Sequence, residues 1–197
     1  ACLLDRGDHK RAMALVKLVS ANAKGEQLGH VKYLTGEAYI LQKEWSKAIE
    51  ELKIFRDTDS YRRMYSIADR ALLRLGLAYE RTGNWGECQR AFSYITSYIP
   101  KSPWIHEARF GDAWARENSK DYSNAMSYYA ALTTKTVTIV GAKAQLRIGY
   151  CQLIQKKYPE AAKAFMVVPY TYNYPDCIAE AWYQSGVAYV AMKKPAD

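Results

Sequence analysis

The side chains best suited to catalysis or metal binding are scattered along the chain. The three histidines, His9, His30 and His106, stand in no His-Glu-x-x-His spacing, so no two are placed one helical turn apart to share a metal. The four cysteines, Cys2, Cys88, Cys151 and Cys177, form no Cys-x-x-Cys pair, and neither a phosphate-cradling glycine loop nor a nucleophile elbow occurs. Adjacent carboxylates such as Glu50 and Glu51 read as an exposed helix face. No catalytic residue, metal ligand, cofactor or small-molecule substrate is therefore expected, and the chain reads as a non-enzyme. Cys88 and Cys151 fit as small core residues. A bridge between them is not expected, because packed helices lie about 8–10 Å apart and a disulfide needs Cα atoms within about 7 Å. Cys177, near a helix start, is expected to be exposed and is the candidate reactive thiol.

Binding chemistry is better represented. Against 20 acidic residues stand 28 Lys and Arg, a formal net charge of +8 that would steer nucleic acid, anionic lipid or acidic protein toward the surface. The charges are interleaved: Asp5 to Arg11 and Lys53 to Arg63 alternate acids with bases, and no run of five like charges occurs, which reads as a mixed solvated surface. No apolar stretch reaches the ~18–20 residues of a membrane span. Ala1-Cys2 is the junction type at which lipoproteins are cleaved, but the repeat register draws Leu3 and Leu4 into an interrupted helix, so acylation of Cys2 is not expected. With 197 residues, 49% of them hydrophobic, the chain can bury about two-thirds of its unfolded surface without disulfides or metal.

The elements that must carry these residues emerge from internal repetition. Thr35-Gly36-Glu37-Ala38-Tyr39, Leu75-Gly76-Leu77-Ala78-Tyr79, Phe110-Gly111-Asp112-Ala113-Trp114, Ile148-Gly149-Tyr150-Cys151-Gln152 and Ser185-Gly186-Val187-Ala188-Tyr189 share one register. Trp45, Trp85 and Tyr158 each follow nine residues after a glycine. Small residues Ala48, Cys88 and Ala161 come three later, and Leu52, Phe92 and Phe165 four beyond those. In the Gly111 unit Tyr122 and Ala125 come two residues late, which predicts a two-residue insertion around Glu117 to Lys120. Apolar spacing of three and four on both sides of short polar turns predicts antiparallel helix pairs. The glycine and the later small residue belong where two helix backbones approach closely. Asp57 to Ser60, Pro100 to Pro103 and Pro169 to Pro175 are the expected connections, with Ser102 capping a helix whose first residue is Pro103.

Gly76, Tyr79, Cys88, Phe92 and Pro100, together with Gly36, Tyr39, Ala48 and Leu52, give the chain its resemblance to the tetratricopeptide repeat (TPR) family. The stretch from Ala91 to Phe110, echoed by Asn173 to Trp182, is similar in style to bacterial envelope proteins of the outer-membrane-assembly lipoprotein and Tol–Pal-associated type. The resemblance implies an all-α fold, a TPR-like right-handed superhelical solenoid of antiparallel helix pairs. Residues 1–197 would form a single solenoid with four complete pairs at about 27–57, 60–98, 102–134 and 139–168, flanked by half units at 1–23 and 175–194. Such a chain would be a segment of a longer array, with uncovered apolar faces at Cys2 to Leu4 and Val187 to Lys194 that invite self-association.

In that family the first helices line a concave groove. The matching positions here supply the candidate partner-binding residues Tyr33, Glu37, Arg70, Leu73, Leu77, Asp112, Lys143, Leu146, Tyr150 and Tyr183. Arg74, Arg109 and Arg147, each two before a glycine, are expected to form a ladder along one groove edge. Guanidinium forks suit carboxylates, so the expected partner is an acidic peptide or helix whose apolar residues enter the trough of Tyr33 and Tyr150. The structural alternative is local pairing, Arg74 with Glu80 or a neighbouring carboxylate and Arg109 with Asp112. The function implied is a protein–protein interaction scaffold, and the resemblance favours the periplasm or cell envelope. The alternative is a helical-repeat nucleic-acid binder using the same basic edge, which lacks the base-stacking code such proteins need.

Overall fold

The structure, a computed structural model, describes residues 14, 16, 18–134 and 137–193. The expected half unit at 1–23, with Cys2 to Leu4, lies largely outside the described residues. The regular secondary structure of the described residues is helical, with no strand among them, and eleven helices follow residue 24. They are α1 (Gly25–Leu41), α2 (Trp45–Leu52), the short α3 (Ile54–Asp57) and α4 (Asp59–Arg62), α5 (Ala68–Arg81), α6 (Trp85–Tyr98), α7 (Ile105–Asn118), α8 (Tyr122–Thr133), α9 (Ile139–Ile154), α10 (Tyr158–Thr171) and α11 (Pro175–Met192). The fold class is all-α and TPR-like, with helices packed on their neighbours in sequence order. The chain divides into two compact units, Ala1–Gly111 and Asp112–Asp197.

In the first unit α1 packs on α2, α2 on α5, and α5 on α6. Leu52, Phe55, Leu72, Leu75, Cys88 and Ile95 are fully buried there. The second pair was expected from residue 60; α5 instead begins at Ala68, because 59–62 close a separate helical turn after extended Thr58. Met64 and Tyr61 from this crossing segment cover Gly29 of α1. Ser102, buried, accepts the backbone N–H of Trp104 at 3.1 Å and donates to Asp69 of α5 at 2.7 Å. The helix expected to start at Pro103 starts at Ile105; the Ser102 hydroxyl takes up the N–H of Trp104 in the turn ahead of it and ties that turn to the preceding pair.

In the second unit α8 packs on α9, α9 on α10, and α10 on α11. Its core gathers Leu146, Phe165, Val168, Tyr172, Cys177 and Ala181. Pro169, expected in a connection, lies in the last turn of α10. Cys177 corrects the sequence expectation: it is buried in this core, and burial pushes its thiol pKa up, so it is not a reactive thiol.

The expected insertion near 117–120 is absent. α7 and α5 both contain 14 residues. Ala113, seven before the turn residue Lys120, holds the place that Gly76 holds before Gly83. Tyr129, fully buried, follows Ala113 by the interval that separates Phe92 from Gly76. Gly111 serves a different contact: a Cβ built on it would lie 2.5 Å from the ring of Phe92 in α6.

Within each pair the turn has one geometry. Lys43, Gly83, Lys120 and Lys156 adopt left-handed φ of 59°, 72°, 65° and 60°. The next residue in each case returns its N–H to a carbonyl five residues back: Glu44 to Tyr39, Asn84 to Tyr79, Asp121 to Arg116 and Lys157 to Gln152, at 2.9–3.0 Å. These bonds close helix C-termini as Schellman motifs do, a place where glycine has no Cβ penalty. Only Gly83 uses that freedom. Replacing Lys43, Lys120 and Lys156 by glycine should therefore stabilise the protein by about 0.5–1 kcal/mol each, strain relief outweighing the added unfolded-state entropy. Thermal melts of the triple variant should shift upward and those of Gly83→Lys downward; a lowered melting temperature for the triple variant would refute the strain argument.

Candidate functional site

In the first unit, α1 and α5 bring Tyr33, Glu37, Arg70 and Arg74 together. Arg74 Nε donates to Glu37 Oε1 at 2.6 Å, joining helices 37 residues apart in sequence. The Arg70 guanidinium lies 5.8 Å from the centre of the Tyr33 ring, a cation–π distance. Burial, then the Glu37 carboxylate, pushes the Tyr33 phenol pKa up despite Arg70 and Arg74. Leu73 and Leu77 are half-buried on the same helix as the arginines, and Arg70 is exposed. The result is a small amphipathic patch: one exposed cation, one half-exposed ion pair, one aromatic ring and two leucines.

Arg109, half-buried on α7, makes no ion pair among the described residues. The pairing expected between Arg109 and Asp112 does not form. Asp112 is buried and accepts from Arg116 Nε at 2.8 Å, while burial raises its carboxyl pKa against the pull of Arg116. The register explains the change. Arg74 and Arg147 stand nine before the left-handed residues Gly83 and Lys156, and that offset from Lys120 falls on Gly111, not Arg109.

In the second unit two of the candidate residues, Arg147 and Tyr150, fall into a partly buried network. Arg147 of α9 grips Glu117 of α7 with two nitrogens; the Nε to Oε2 distance is 3.0 Å, and Nη2 meets Oε1. Glu117 has a side chain only 4% exposed and also accepts the Tyr129 hydroxyl at 3.0 Å. The Arg147 guanidinium lies over both the Trp114 and Tyr150 rings, 4.4 and 4.7 Å from their centres. Burial draws the Arg147 pKa down, but Glu117 more than compensates and the net direction is up. Burial, followed by Glu117, pushes the neighbouring Cys151 thiol to about 12. The Tyr150 hydroxyl donates to Glu180 of α11, which also accepts Gln184 Nε2 at 2.8 Å. Burial and then that carboxylate raise Tyr150 to about 12, and the Tyr150 bond holds the Glu180 carboxyl below its usual range. Leu146 is buried, whereas Lys143 and Tyr183 are exposed. Arg147 is thus committed to Glu117 and carries structure.

Sequence reasoning missed Glu117, Trp114 and Tyr129, because a carboxylate near a helix end reads as solvated until the facing helix is placed. It also missed a cleft of about 300 Å³ lined by Arg56, Arg90, Ser93, Tyr94, Ser97 and Tyr98. The cations there are already spent: Arg56 pairs with Asp57 and Glu87, and Arg90 with Glu87. Among the described residues no group of three or more His, Cys, Asp or Glu side chains is arranged to hold a metal. No helix of the described residues is long and apolar enough to cross a membrane.

Helix pairs of this kind, joined by turns of one geometry and in three of the four pairs packed through a glycine beneath a Leu or Phe side chain, define an all-α repeat protein. Residues 70–102, from α5 through α6 to Ser102, match the tetratricopeptide repeat family. The segment contains Gly76, Tyr79, Cys88, Phe92 and Pro100. Such repeats are generally protein–protein interaction modules and typically non-enzymatic scaffolds. No curated protein matches the chain.

Proposed function

We propose that the protein is a scaffold that binds a peptide or helix of a partner protein on its first-helix faces, within a bacterial cell-envelope complex. The observation that carries the binding face is the α1–α5 patch. There Arg70 is exposed, Arg74 is held by a single carboxylate, and Tyr33, Leu73 and Leu77 offer apolar area beside them. Repeated carboxylates would engage Arg70 and the outer edge of Arg74 bidentately, and intervening apolar side chains would lie on Tyr33 and the leucines. In the second unit Lys143 and Tyr183 are exposed and offer that unit a contact surface of its own. The envelope assignment rests on the stylistic resemblance of Ala91 to Phe110 to envelope proteins.

The test uses labelled peptides alternating glutamate with leucine, their lysine counterparts and a random single-stranded RNA, each titrated at two salt concentrations. The acidic peptide should bind with a marked salt dependence. Arg70→Gln with Arg74→Gln should weaken it at least tenfold while helical content stays unchanged. Equal affinity for the double variant would remove the patch from the binding face, and tighter binding of RNA would favour the nucleic-acid reading.

A further inference from the structure

Among the described residues three acidic side chains are buried: Asp69, Asp112 and Glu117. Two of them hold an arginine, Asp112 pairing with Arg116 and Glu117 with Arg147. Asp69, 7% exposed, forms no ion pair among the described residues. Its bonds come from neutral donors, the Ser102 hydroxyl and the backbone N–H of Arg70, each at 2.7 Å. The Arg70 guanidinium is turned elsewhere, donating to the Ser66 carbonyl at 2.9 Å and lying over the Tyr33 ring. Asp69 stands in the first turn of α5, where the helix dipole supplies about half a positive charge. The rest of its charge has no counterpart, and a buried carboxylate without one is costly.

Beside Asp69 opens a cleft of about 430 Å³, inside the range of about 300–1,000 Å³ usual for small-ligand sites. It lies between the segment joining α4 to α5 and the one joining α6 to α7. Asp69 and Ser102 line it together with Tyr65, Tyr98, Pro100 and Lys101. Tyr65 and Tyr98 are both largely exposed, at 69% and 62%. Tyr98 stacks on Tyr94 with ring centres 4.3 Å apart, and the Arg62 guanidinium lies 4.5 Å from the centre of the Tyr94 ring. One wall is therefore held in place before a ligand arrives, which lowers the ordering cost of binding. An ionised carboxylate has about four acceptor sites, and two of those on Asp69 are taken, which leaves room for a forked donor. Tyrosine rings attract cations placed within about 6 Å of their centres. An anion would be repelled by Asp69, and a neutral apolar ligand would desolvate the carboxylate further without balancing it.

We infer that this cleft is a binding site for an organic cation, a guanidinium or alkylammonium head on an apolar stem. The head engages the open acceptor sites of Asp69, and the stem lies against Tyr65, Tyr98 and Pro100. A partner's arginine or lysine side chain and a free organic amine or guanidine share that chemistry. Lys101, exposed at the cleft, opposes the charge of the ligand and limits its affinity. Connecting segments build the site, so it is separate from the first-helix faces and does not depend on the α1–α5 reading.

The 197-residue chain is titrated with the blocked peptide Gly-Ala-Arg-Ala-Gly, with its citrulline counterpart and with n-butylguanidinium, and binding is followed by the tyrosine ring resonances. The arginine peptide should shift the Tyr65 and Tyr98 signals. Citrulline keeps the shape and loses the charge, and should bind at least tenfold more weakly. Lys101→Glu should tighten the arginine peptide about threefold, and Tyr65→Ala should weaken it by a similar factor. Both positions are exposed, so helical content and melting temperature should hold in these variants. Asp69→Asn keeps an oxygen for Ser102 and should erase the preference for arginine over citrulline; should it fail to fold, the Lys101 and Tyr65 variants decide. Butylguanidinium as tight as the peptide would assign the site to a free cation and a tighter peptide would assign it to a partner's side chain, both in support of the inference. Absence of binding, equal affinity for arginine and citrulline, an unchanged affinity in Lys101→Glu, or shifts confined to Tyr33 would overturn it.

Discussion

Replacing Arg147 with methionine is expected to cost about 3–5 kcal/mol, among the largest effects of any single substitution in the protein. The reason lies in what remains. Glu117, its side chain 4% exposed, would keep a desolvated carboxylate with the Tyr129 hydroxyl as its strongest remaining donor, and the Trp114 and Tyr150 rings would each lose a cation–π contact. Coulombic attraction offsets the desolvation of two buried ions only while both are present. A fall in melting temperature on the order of 10 °C should follow. The second half of the argument is a rescue: Glu117→Leu combined with Arg147→Met removes both charges and should recover most of the loss. An unchanged melting temperature for Arg147→Met, or a double variant as unstable as the single, would show that the pair is not the buried anchor that its geometry makes it. The same substitution bears on partner binding. Any loss of affinity it causes without loss of stability would return Arg147 to the binding face.

What the sequence makes legible is the contact that demands a residue type. Glycine at 76 with Cys88 and Phe92 in the facing helix admits few readings, because only small residues let two backbones close on an aromatic ring. The nearness of α1 and α5, and hence of Tyr33 to Arg70, follows from repetition alone, since equivalent positions of successive pairs lie side by side. The arginine row breaks at Arg109 for a physical reason. Counting from glycines put Arg109 in line with Arg74 and Arg147, but the turns fix the register, and there Ala113 stands in for the glycine. Alanine is small enough for the role and carries no signal of it. Pairing across 30 residues, as between Arg147 and Glu117, depends on which helix faces which and leaves no local trace. Cys177 departs from its expected exposure for a related reason: proximity to a helix start says nothing about whether α10 covers that start. The left-handed lysines are silent because lysine, unlike glycine or asparagine, gives no hint of positive φ.

Leucine at position 76 should destabilise the first unit by about 3 kcal/mol or more, and the cause is one ring. Phe92 is flanked by two glycines: a Cβ on Gly76 would lie 2.5 Å from its Cζ, and a Cβ on Gly111 would lie 2.5 Å from its Cε2. Gly111, which does not occupy the repeat position in its own helix, is therefore required by the preceding one. An added isobutyl group must displace a buried ring that has helix backbone on both sides, and overpacking of this kind typically costs 1–3 kcal/mol, with two backbones constraining relaxation. The gain of about 1 kcal/mol in helix propensity on leaving glycine works in the opposite direction and is outweighed. Gly86 supplies the control, because it sits in α6 with nothing within 4 Å of its Cβ direction; Gly86→Leu should leave stability unchanged or raise it. Phe92→Ala should cost about 3–5 kcal/mol by opening a cavity against both glycines. In the double variant the losses should not add. With the ring gone, the leucine at 76 finds room, and a double-mutant cycle should return an interaction energy of at least about 1 kcal/mol favouring the pair. Simple additivity, or a Gly76→Leu protein melting with the wild type while Gly86→Leu falls, would mean that the ring does not pack on Gly76.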